Sequence, residues 1–301
     1  MKRLLKISAI AIVAISITAF IILFSIANAL SNRFAKKYKP NTPSITIPTD
    51  SISFQHGKML ATALCTPCHN TDYSGTEIFN QPKIGVIYSN NITPGGVTKN
   101  FSDAQWINVI KYGVKEDGTP VFIMPSRDDY NTMSDYDLGC IIAYLKTVKP
   151  SDVKWPHNID ALTFYGKIRM QQGLLGSSIF SAEKINMDDK VPRSSPEYGA
   201  NAAYGGYLVT LSDCKYCHGP YLNGAIDTGS GAPSAPNITP GGNVGHWTDK
   251  MFFQTIRSGI SPEGKRLSTF MPWPYLASYN DTALEAIYTY LKSLPALKDS
   301  K

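Results

Sequence analysis

Two short stretches of the 301-residue chain combine cysteine and histidine at a spacing that serves one particular chemistry. They read CTPCH at residues 65–69 and CKYCH at residues 214–218, so both fit the pattern C-x-x-C-H. This pattern is the attachment signature of c-type haem. Near a helix start, two thiols three positions apart reach two vinyl groups on one haem edge, and the next histidine reaches the iron. The sequence therefore predicts two covalently attached haem c groups, held by Cys65, Cys68, Cys214 and Cys217, with His69 and His218 as iron ligands.

Two other cysteine chemistries share the C-x-x-C spacing. A thioredoxin-like redox pair needs neither a following histidine nor a second copy of the motif. A structural zinc site takes four ligands around one metal, and the two cysteine pairs together supply four thiols. Each pair has its own histidine, which favours one haem per motif over one zinc shared between them.

A haem iron held by one histidine needs a sixth ligand or keeps an open position. Methionine is a common partner of histidine in electron-transfer haem proteins, where it raises the reduction potential. Met124 and Met271 both precede a proline and follow His69 and His218 by 55 and 53 residues. Among the eight methionines, only these two fall at matching places after the two motifs. We therefore predict Met124 and Met271 as the second iron ligands, with His56 as a competing candidate.

The motif recurs because a long part of the chain is repeated. The hexapeptide NITPGG occurs at residues 91–96 and again, unchanged, at residues 237–242. Further matched segments are 102–106 with 248–252, 144–146 with 290–292, and 57–65 with 206–214. This self-similarity indicates two copies of one module of about 100 residues.

In both copies the NITPGG loop falls between the histidine and the methionine that are predicted to hold the haem. A ligating histidine normally donates its second ring N–H to a carbonyl or carboxylate, which fixes the orientation of the ring. We expect backbone carbonyls near Pro94 and Pro240 to accept this bond, while the paired glycines let the chain turn closely. The alternative is a plain turn without contact to the haem.

Helical signals surround both motifs, and few alternating runs indicate a sheet. Apolar residues before each C-x-x-C-H motif are spaced for one buried helix face. Ser102 and Thr248 have the type and position of helix N-caps, and closing helices are predicted over residues 138–148 and 284–294. The expected fold is all-α. Cys140, in the first closing helix, is expected to be a buried small apolar residue.

The N-terminal segment carries a membrane signal. Residues 7–30 contain no charged side chain, and this length is enough to cross a bilayer core of about 30 Å as a helix. We predict an uncleaved anchor; a cleaved signal peptide is the alternative, because Ala27-Asn28-Ala29 resembles a peptidase site. Seven of the 29 lysines and arginines precede residue 40, and the rest of the chain has 22 basic and 23 acidic residues. The folded part is nearly neutral, which argues against nucleic-acid binding.

These signals divide the chain into five parts. They are a membrane anchor or signal peptide at residues 1–30, a flexible tether at 31–50, a first module at 51–150, a bridge at 151–200 and a second module at 201–298. Apolar clusters in the bridge predict that it packs across both modules. Arg127 and Arg193 are candidates for ion pairs with haem propionates, since guanidinium groups bind carboxylates well.

A known family shares this pattern. The run from NITPGG through SDAQWINVIKYGVKEDGTPVFIMP to MSDYDLGCIIAYLKTVKP resembles haem modules in the cytochrome c subunits of membrane-bound alcohol, aldehyde and gluconate dehydrogenases. The resemblance covers residues 51–298, including the bridge at Leu162-Thr163-Phe164, Arg169 and Glu197-Tyr198-Gly199. It implies two tandem class I-like cytochrome c domains, which in this chain follow the N-terminal transmembrane helix predicted above. It also implies that His69 and Met124 ligate one iron and that His218 and Met271 ligate the other.

The resemblance further implies electron transfer without chemistry on a substrate. The family's haems lie on the outer side of the cytoplasmic membrane, which implies an inner-membrane protein with both modules in the periplasm. Two six-coordinate irons would relay electrons from a periplasmic donor to a respiratory acceptor, with a dehydrogenase, another cytochrome or a terminal oxidase as redox partner. The family typically has three haems and a C-terminal anchor, whereas this chain has two motifs and an apolar span at its front. The alternative function is a dihaem peroxidase, which needs one open iron and is disfavoured by the matched methionines.

Overall fold

The computed structural model describes residues 2–126, 129–175, 179–225 and 234–300. The helices are α1 (Lys2–Ala35), α2 (Ser51–Leu64), α3 (Thr66–His69), α4 (Asp103–Ile107), α5 (Asp135–Leu145), α6 (Asn158–Ala161), α7 (Phe164–Gln171), α8 (Ala202–Leu211), α9 (Cys214–His218), α10 (Asp249–Ser258), α11 (Trp273–Leu276) and α12 (Asp281–Ser293). A π-helical turn, Asn108–Tyr112, continues α4, and short 3-10 turns lie at Tyr130–Thr132, Ser181–Glu183 and Asn243–His246. The strands are β1 (Glu77–Gln81), β2 (Gly85–Tyr88), β3 (Asn223–Ala225) and β4 (Ala235–Asn237).

The N-terminal helix α1 contains the predicted span. Its segment Lys6–Ala35 is long and apolar enough to cross a membrane by length and composition. Side chains from Lys6 to Ser25 are exposed, whereas Ala27 and Leu30 are buried against the rest of the protein. The apolar run is therefore uncovered until the last turns of the helix, where the folded body begins.

Each sequence repeat contains a pair of helices in close contact, α2 with α5 and α8 with α12. A glycine marks both crossings: a Cβ on Gly57 would lie 2.0 Å from the carbonyl oxygen of Cys140, and one on Gly205 would lie 1.9 Å from that of Ala286. The structural counterpart of Gly57 is thus Gly205 and not Gly206, as the sequence alignment had it. The extra residue before the second motif is accommodated at Asp213, which has a left-handed backbone with φ of 49°.

The predicted helix starts are confirmed by the cap geometry. The side chain of Ser102 accepts a hydrogen bond from Gln105 N, and that of Thr248 accepts one from Met251 N, at the starts of α4 and α10. Ser134 and Asn280 cap α5 and α12 in the same way. Because a cap satisfies otherwise unpaired N–H groups of the first turn, these side chains set the register of helices that pack around the motifs.

The expectation of an all-α fold is wrong in one respect, because each repeat contains a small antiparallel sheet. β1 pairs with β2, with Phe79 opposite Ile87, and β3 pairs with β4, with Asn223 opposite Asn237. Strands of three to five residues are too short for a readable alternation of apolar and polar residues. The fold is mostly helical, and both hairpins lie between the haem motif and the NITPGG loop.

One continuous cluster of buried side chains runs through both repeats. A buried polar network crosses the boundary between them: the Asp137 carboxylate receives hydrogen bonds from His56 Nε2 at 2.6 Å and from the Tyr207 hydroxyl. The Tyr207 hydroxyl in turn accepts a bond from Ser134 N at 3.0 Å. The repeats therefore share one hydrophobic core and are not two independently packed units. Cys140 is fully buried in α5, as predicted.

A second cluster receives the end of α1. Its buried members, which we call the anchor seat, are Leu30, Ile84, Ile87, Phe122, Leu162, Met170, Ile179 and Phe180. Arg33 secures the contact through two 2.8 Å hydrogen bonds to the Glu183 carboxylate, one of 2.6 Å to Gln171 Oε1, and a position 4.5 Å above the Phe180 ring. The anchor seat is built mainly from the bridge and from the hairpin β1–β2.

The segment expected to be a flexible tether, residues 31–50, begins within α1 and is hydrogen-bonded to the folded body. α1 continues to Ala35, and the irregular segment after it runs along the first repeat. Three hydrogen bonds hold this segment: Tyr38 N to Gly118 O at 2.8 Å, Asn41 N to Met187 O at 2.7 Å, and Thr42 Oγ1 to Asn108 Oδ1 at 2.6 Å. The prolines and threonines indicated a linker, but the isoleucines among them, Ile45 and Ile47, are half-buried against the main core.

Candidate functional site: two histidine–cysteine motifs

Both motif histidines are held by one backbone carbonyl each. His69 Nδ1 lies 2.8 Å from Asn90 O, and His218 Nδ1 lies 2.7 Å from Pro236 O. A carbonyl oxygen only accepts, so Nδ1 carries the proton and Nε2 of the neutral ring keeps its lone pair. Desolvation by the surrounding protein lowers the pKa of both histidines, partly offset by these bonds. Each ring is thus a neutral imidazole oriented to coordinate a metal through Nε2.

The two acceptors occupy the same place in both repeats, directly before NITPGG and four residues before Pro94 and Pro240, near which we expected them. The antiparallel hairpins bring them there. In the first repeat β2 ends at Tyr88, two residues before Asn90, and in the second repeat Pro236 lies within β4. The loop therefore acts on the histidine through the residue that precedes it.

The loop itself is fixed by its asparagine and threonine. Asn91 Oδ1 accepts from Thr93 N at 3.0 Å and from Thr93 Oγ1 at 2.7 Å. Asn91 Nδ2 donates to Ser151 O at 2.7 Å and to Val153 O at 3.0 Å. The segment after the closing helix α5 is thereby tied to the loop that presents Asn90.

The second repeat copies this arrangement. Asn237 Oδ1 accepts from Thr239 N at 2.9 Å and from Thr239 Oγ1 at 2.7 Å. Asn237 Nδ2 donates to Leu297 O at 2.8 Å and to Asp299 Oδ1 at 3.1 Å, on the segment after α12. Since Asn237 and Thr239 are buried, each bond replaces one that water would otherwise make.

The paired glycines are explained by close backbone contacts. A Cβ on Gly95 would lie 2.4 Å from Ser151 O, and one on Gly241 would lie 2.0 Å from Leu297 O. A Cβ on the second glycine would meet the carbonyl oxygen of the loop's own asparagine, at 2.0 Å in the first repeat and 2.1 Å in the second. No residue with a side chain fits at these positions without moving the backbone.

The four motif cysteines form no disulfide. In each pair the first thiol is half-buried and the second is exposed. Burial raises the pKa of Cys65 to about 12, and the neighbouring Cys68 adds to this shift. Burial likewise raises the pKa of Cys214 to about 12, with Asp213 and Cys217 as further causes. An environment that disfavours thiolate suits an uncharged sulfur, which is what a thioether bond to haem leaves. The donor set therefore fits covalently attached haem c.

A zinc ion shared by the two cysteine pairs would need their ligands in one cluster. Among the described residues, no group of three or more His, Cys, Asp and Glu side chains is placed to hold a metal ion. The two motifs therefore remain separate sites, each with its own histidine.

The two predicted methionine ligands border the same core as the motif cysteines. Met124 and Met271 are half-buried and pack against the cluster that also contacts Cys65 and Cys214. The Met124 carbonyl accepts a 2.6 Å hydrogen bond from Ser181 Oγ, so the bridge holds the first methionine loop. The second loop is held locally, with Trp273 N donating to Met271 O at 2.8 Å.

The remaining candidates take other partners. His56 is bonded to the Asp137 carboxylate, which engages Nε2 and gives this ring a structural role. Arg193 pairs with Asp189 at 2.7 Å and leaves its buried Nε without a hydrogen-bond partner among the described residues. Arg127 lies outside the described residues.

Two buried tyrosines bond to residues that precede the motifs. The Tyr279 hydroxyl lies 2.9 Å from Ser212 Oγ, two residues before the second motif. The hydroxyl of Tyr130 donates to Leu64 O at 2.9 Å, one residue before the first motif. Both tyrosines belong to the core that the two repeats share.

Sequence reasoning missed the residues that fix the histidine acceptors. The recurring Asn-x-Thr within NITPGG was the available signal, because both side chains commonly bond to nearby backbone groups in turns. The acceptors at Asn90 and Pro236 share no residue type, since only their carbonyls matter, and comparison of side chains could not find them.

Comparison with known proteins agrees with this geometry. Residues 53–145 match the family described as cytochrome c oxidase, cbb3-type, subunit III. The chain is 30% identical over 272 residues to the fructose dehydrogenase cytochrome subunit of Gluconobacter japonicus, covering 82% of this chain and 54% of that protein. It is 26% identical over 293 residues to the alcohol dehydrogenase (quinone) cytochrome c subunit of Gluconacetobacter polyoxogenes, covering 85% and 59%.

A third relative is the gluconate 2-dehydrogenase cytochrome c subunit of Pantoea cypripedii, with 27% identity over 279 residues, 80% of this chain and 59% of that protein. The chain thus spans little more than half the length of these relatives. The resemblance expected from the NITPGG and methionine loops is confirmed. Over most of its length the chain is similar to the cytochrome c subunits of fructose, alcohol and gluconate dehydrogenases, and its first repeat matches the cbb3-type subunit III family.

Proposed function

We propose that this protein is a membrane-anchored dihaem cytochrome c with two tandem cytochrome c domains. It relays electrons from a periplasmic donor to a respiratory-chain acceptor, as a subunit or partner of a dehydrogenase or oxidase. The named relatives are cytochrome subunits of dehydrogenases, which supports an electron-transfer role. The apolar helix α1 is long enough to cross a membrane, which supports an anchor. The proposal places this anchor in the cytoplasmic membrane and both repeats in the periplasm.

One observation carries the proposal of two haems. Both motif histidines donate Nδ1–H to the residue just before NITPGG, and each loop is tied to the segment after its closing helix by the same bonds. A repeat conserved only for packing would not need to keep a neutral, oriented imidazole in both halves. The same hydrogen-bond arrangement in both repeats supports an iron ligand at His69 and at His218.

The roles of the side chains follow from this assignment. Cys65 and Cys68 would hold one haem and Cys214 and Cys217 the other, while Met124 and Met271 would complete the iron coordination. Bound haem supplies reversible one-electron chemistry, and the protein sets its potential through the axial sulfur, the histidine hydrogen bond and burial. The packing of Cys65 and Cys214 against one shared core supports a short path between the two centres.

A dihaem peroxidase is not favoured. The relatives that cover most of the chain are named as cytochrome c subunits, and a methionine follows each motif at a matched place. A peroxidase requires an open position at one iron, and thus a difference between the two distal sides.

The decisive experiment is haem quantification with spectroscopy on protein matured in a periplasm. A pyridine haemochrome assay should return two haem c per chain, and the resting protein should be low-spin at both irons. His69→Ala and His218→Ala should each remove an iron ligand from one haem and change its spectrum, while the spectrum of the other haem stays the same. One haem per chain, or a high-spin iron that turns over peroxide, contradicts the relay.

A further inference from the structure

The position of the bilayer along α1 is marked by two observations. Large apolar side chains from Ile7 to Phe24 are exposed, and this stretch measures about 27 Å at the helical rise of ~1.5 Å per residue. The folded body begins to cover the helix at Ile26 and Ala27. A hydrocarbon core of about 30 Å therefore ends close to Ser25, because polar backbone of the body cannot enter it.

Helix α7 lies just above this level. Leu162, which precedes α7, and Met170, near its end, both belong to the anchor seat together with Leu30. Gln171, its last residue, is bonded to Arg33. Leu30 is five residues beyond Ser25, which is roughly 7 Å above the core, within the depth of the polar headgroups. The bond between Gln171 and Arg33 and the shared anchor seat thus place α7 beside the end of α1, near the height of the lipid headgroups.

The outer side of α7 has the side chains that membrane interfaces favour. Phe164 is 45% exposed and Tyr165 is 48% exposed, although both are large aromatic residues. Arg169 Nη1 donates to the Tyr165 hydroxyl at 3.3 Å, and Lys167 is half-buried nearby in sequence. Aromatic rings beside cations are enriched where hydrocarbon meets headgroups. Gly166 and Met170, on the other side of the helix, are buried.

We propose that α7 is an interfacial helix, whose Phe164 and Tyr165 insert at the boundary between headgroups and acyl chains of the bilayer that α1 spans. This inference rests on the proposed membrane anchoring. The lipid contact gives the protein a second point of attachment beside α1. Two attachment points fix the tilt of the body relative to the membrane plane, whereas a single helix would leave the body free to tilt.

The test is lipid photocrosslinking of the full-length haem-loaded protein in nanodiscs, without any partner protein. A phospholipid with a carbene precursor in the upper part of its acyl chain is activated, and adducts are mapped by peptide mass spectrometry. We expect adducts on α1 and on Phe164 and Tyr165. The exposed Val191, which is 57% accessible but lies outside α7 and the anchor seat, serves as the negative control and should carry none.

A variant pair sharpens the result. Phe164→Ser with Tyr165→Ser should lower the α7 adduct yield several-fold, while the haem spectrum and thermal unfolding stay those of the parent. Adducts on α1 with none on α7 overturn the interfacial helix and leave the anchor standing. Absence of α1 from the intact mass of the mature protein overturns the anchoring itself, so the two failures are distinguishable. Equal labelling of Val191 and α7 also contradicts the proposal.

Discussion

Gly57 in α2 lies directly against the carbonyl oxygen of Cys140 in α5, so close that a Cβ would come within 2.0 Å of it. Gly205 stands in the same relationship to Ala286 in the second repeat, at 1.9 Å. The helix that leads into each haem motif therefore crosses the closing helix backbone to backbone. Because neither oxygen belongs to a side chain that can turn away, any substituent at these glycines must push two helices apart.

We predict that Gly57→Ala and Gly205→Ala each destabilise the protein by about 2–3 kcal/mol or more, as overpacking of a close-packed core does. The measurement is chemical denaturation of the haem-loaded protein. Gly199→Ala is the matched control, because the nearest atom to its Cβ would be a side-chain nitrogen of Asn201 at 3.3 Å. Equal stability of the Gly57 and Gly199 variants would show that the crossing relaxes freely.

The loop that presents the histidine acceptor gives a second prediction. Asn91→Ala removes four hydrogen bonds of a buried side chain, to Thr93, Ser151 and Val153. We expect a loss of about 2–4 kcal/mol in the free energy of unfolding, because buried partners are left unpaired. The first haem should also show a shifted reduction potential, since the carbonyl that orients His69 is no longer fixed.

Asn90→Ala controls for this change, since Asn90 is exposed and contributes only its backbone carbonyl to His69. Potential and stability should stay near those of the parent. Potentiometric titration of both variants distinguishes loss of the Asn91 bonds from loss of the Asn90 side chain. A reduction potential unaffected by Asn91→Ala contradicts the idea that the Asn91 bonds fix the carbonyl that orients His69.

Particular residues show which features of the fold and the site could be predicted from the sequence. The caps at Ser102 and Thr248 and the burial of Cys140 follow from local rules, and the structure confirms them. The hairpins and the carbonyls of Asn90 and Pro236 do not follow, because backbone acceptors leave no trace in residue type. The anchor seat was equally unreadable, since it joins α1 to residues 50 to 150 positions away, and no local pattern reports such packing.

The methionines give a third prediction, which tests the iron ligands directly. Met124→Ala and Met271→Ala should each remove the sulfur ligand from one haem, lower that haem's potential and open its iron to small ligands. Absorption and magnetic resonance spectra of the oxidised protein are the measurement. Met187→Leu, at a half-buried methionine of the bridge, should leave both haems unchanged, because it conserves volume.

The boundary between the repeats gives a fourth prediction. Asp137→Ala deprives His56 and the Tyr207 hydroxyl of a buried partner, and we expect a cost of about 2–4 kcal/mol with less cooperative unfolding. Asp281→Ala breaks a surface ion pair with Arg257 and should cost less than about 1 kcal/mol. Calorimetry that finds one unchanged transition in the Asp137 variant would contradict a network that couples the repeats.

If the protein is the anchored electron carrier that we propose, the continuity of α1 into the anchor seat limits where it exchanges electrons. A redox centre on a flexible linker could occupy many positions above the membrane. A folded body that packs around the end of its own anchor stays at one height. It then meets a membrane-bound redox partner by diffusion in two dimensions. That partner must present its own cofactor at the same height above the membrane. Because the rate of electron tunnelling falls steeply with distance, the height of the cofactor above the membrane selects among redox partners before their surfaces make contact.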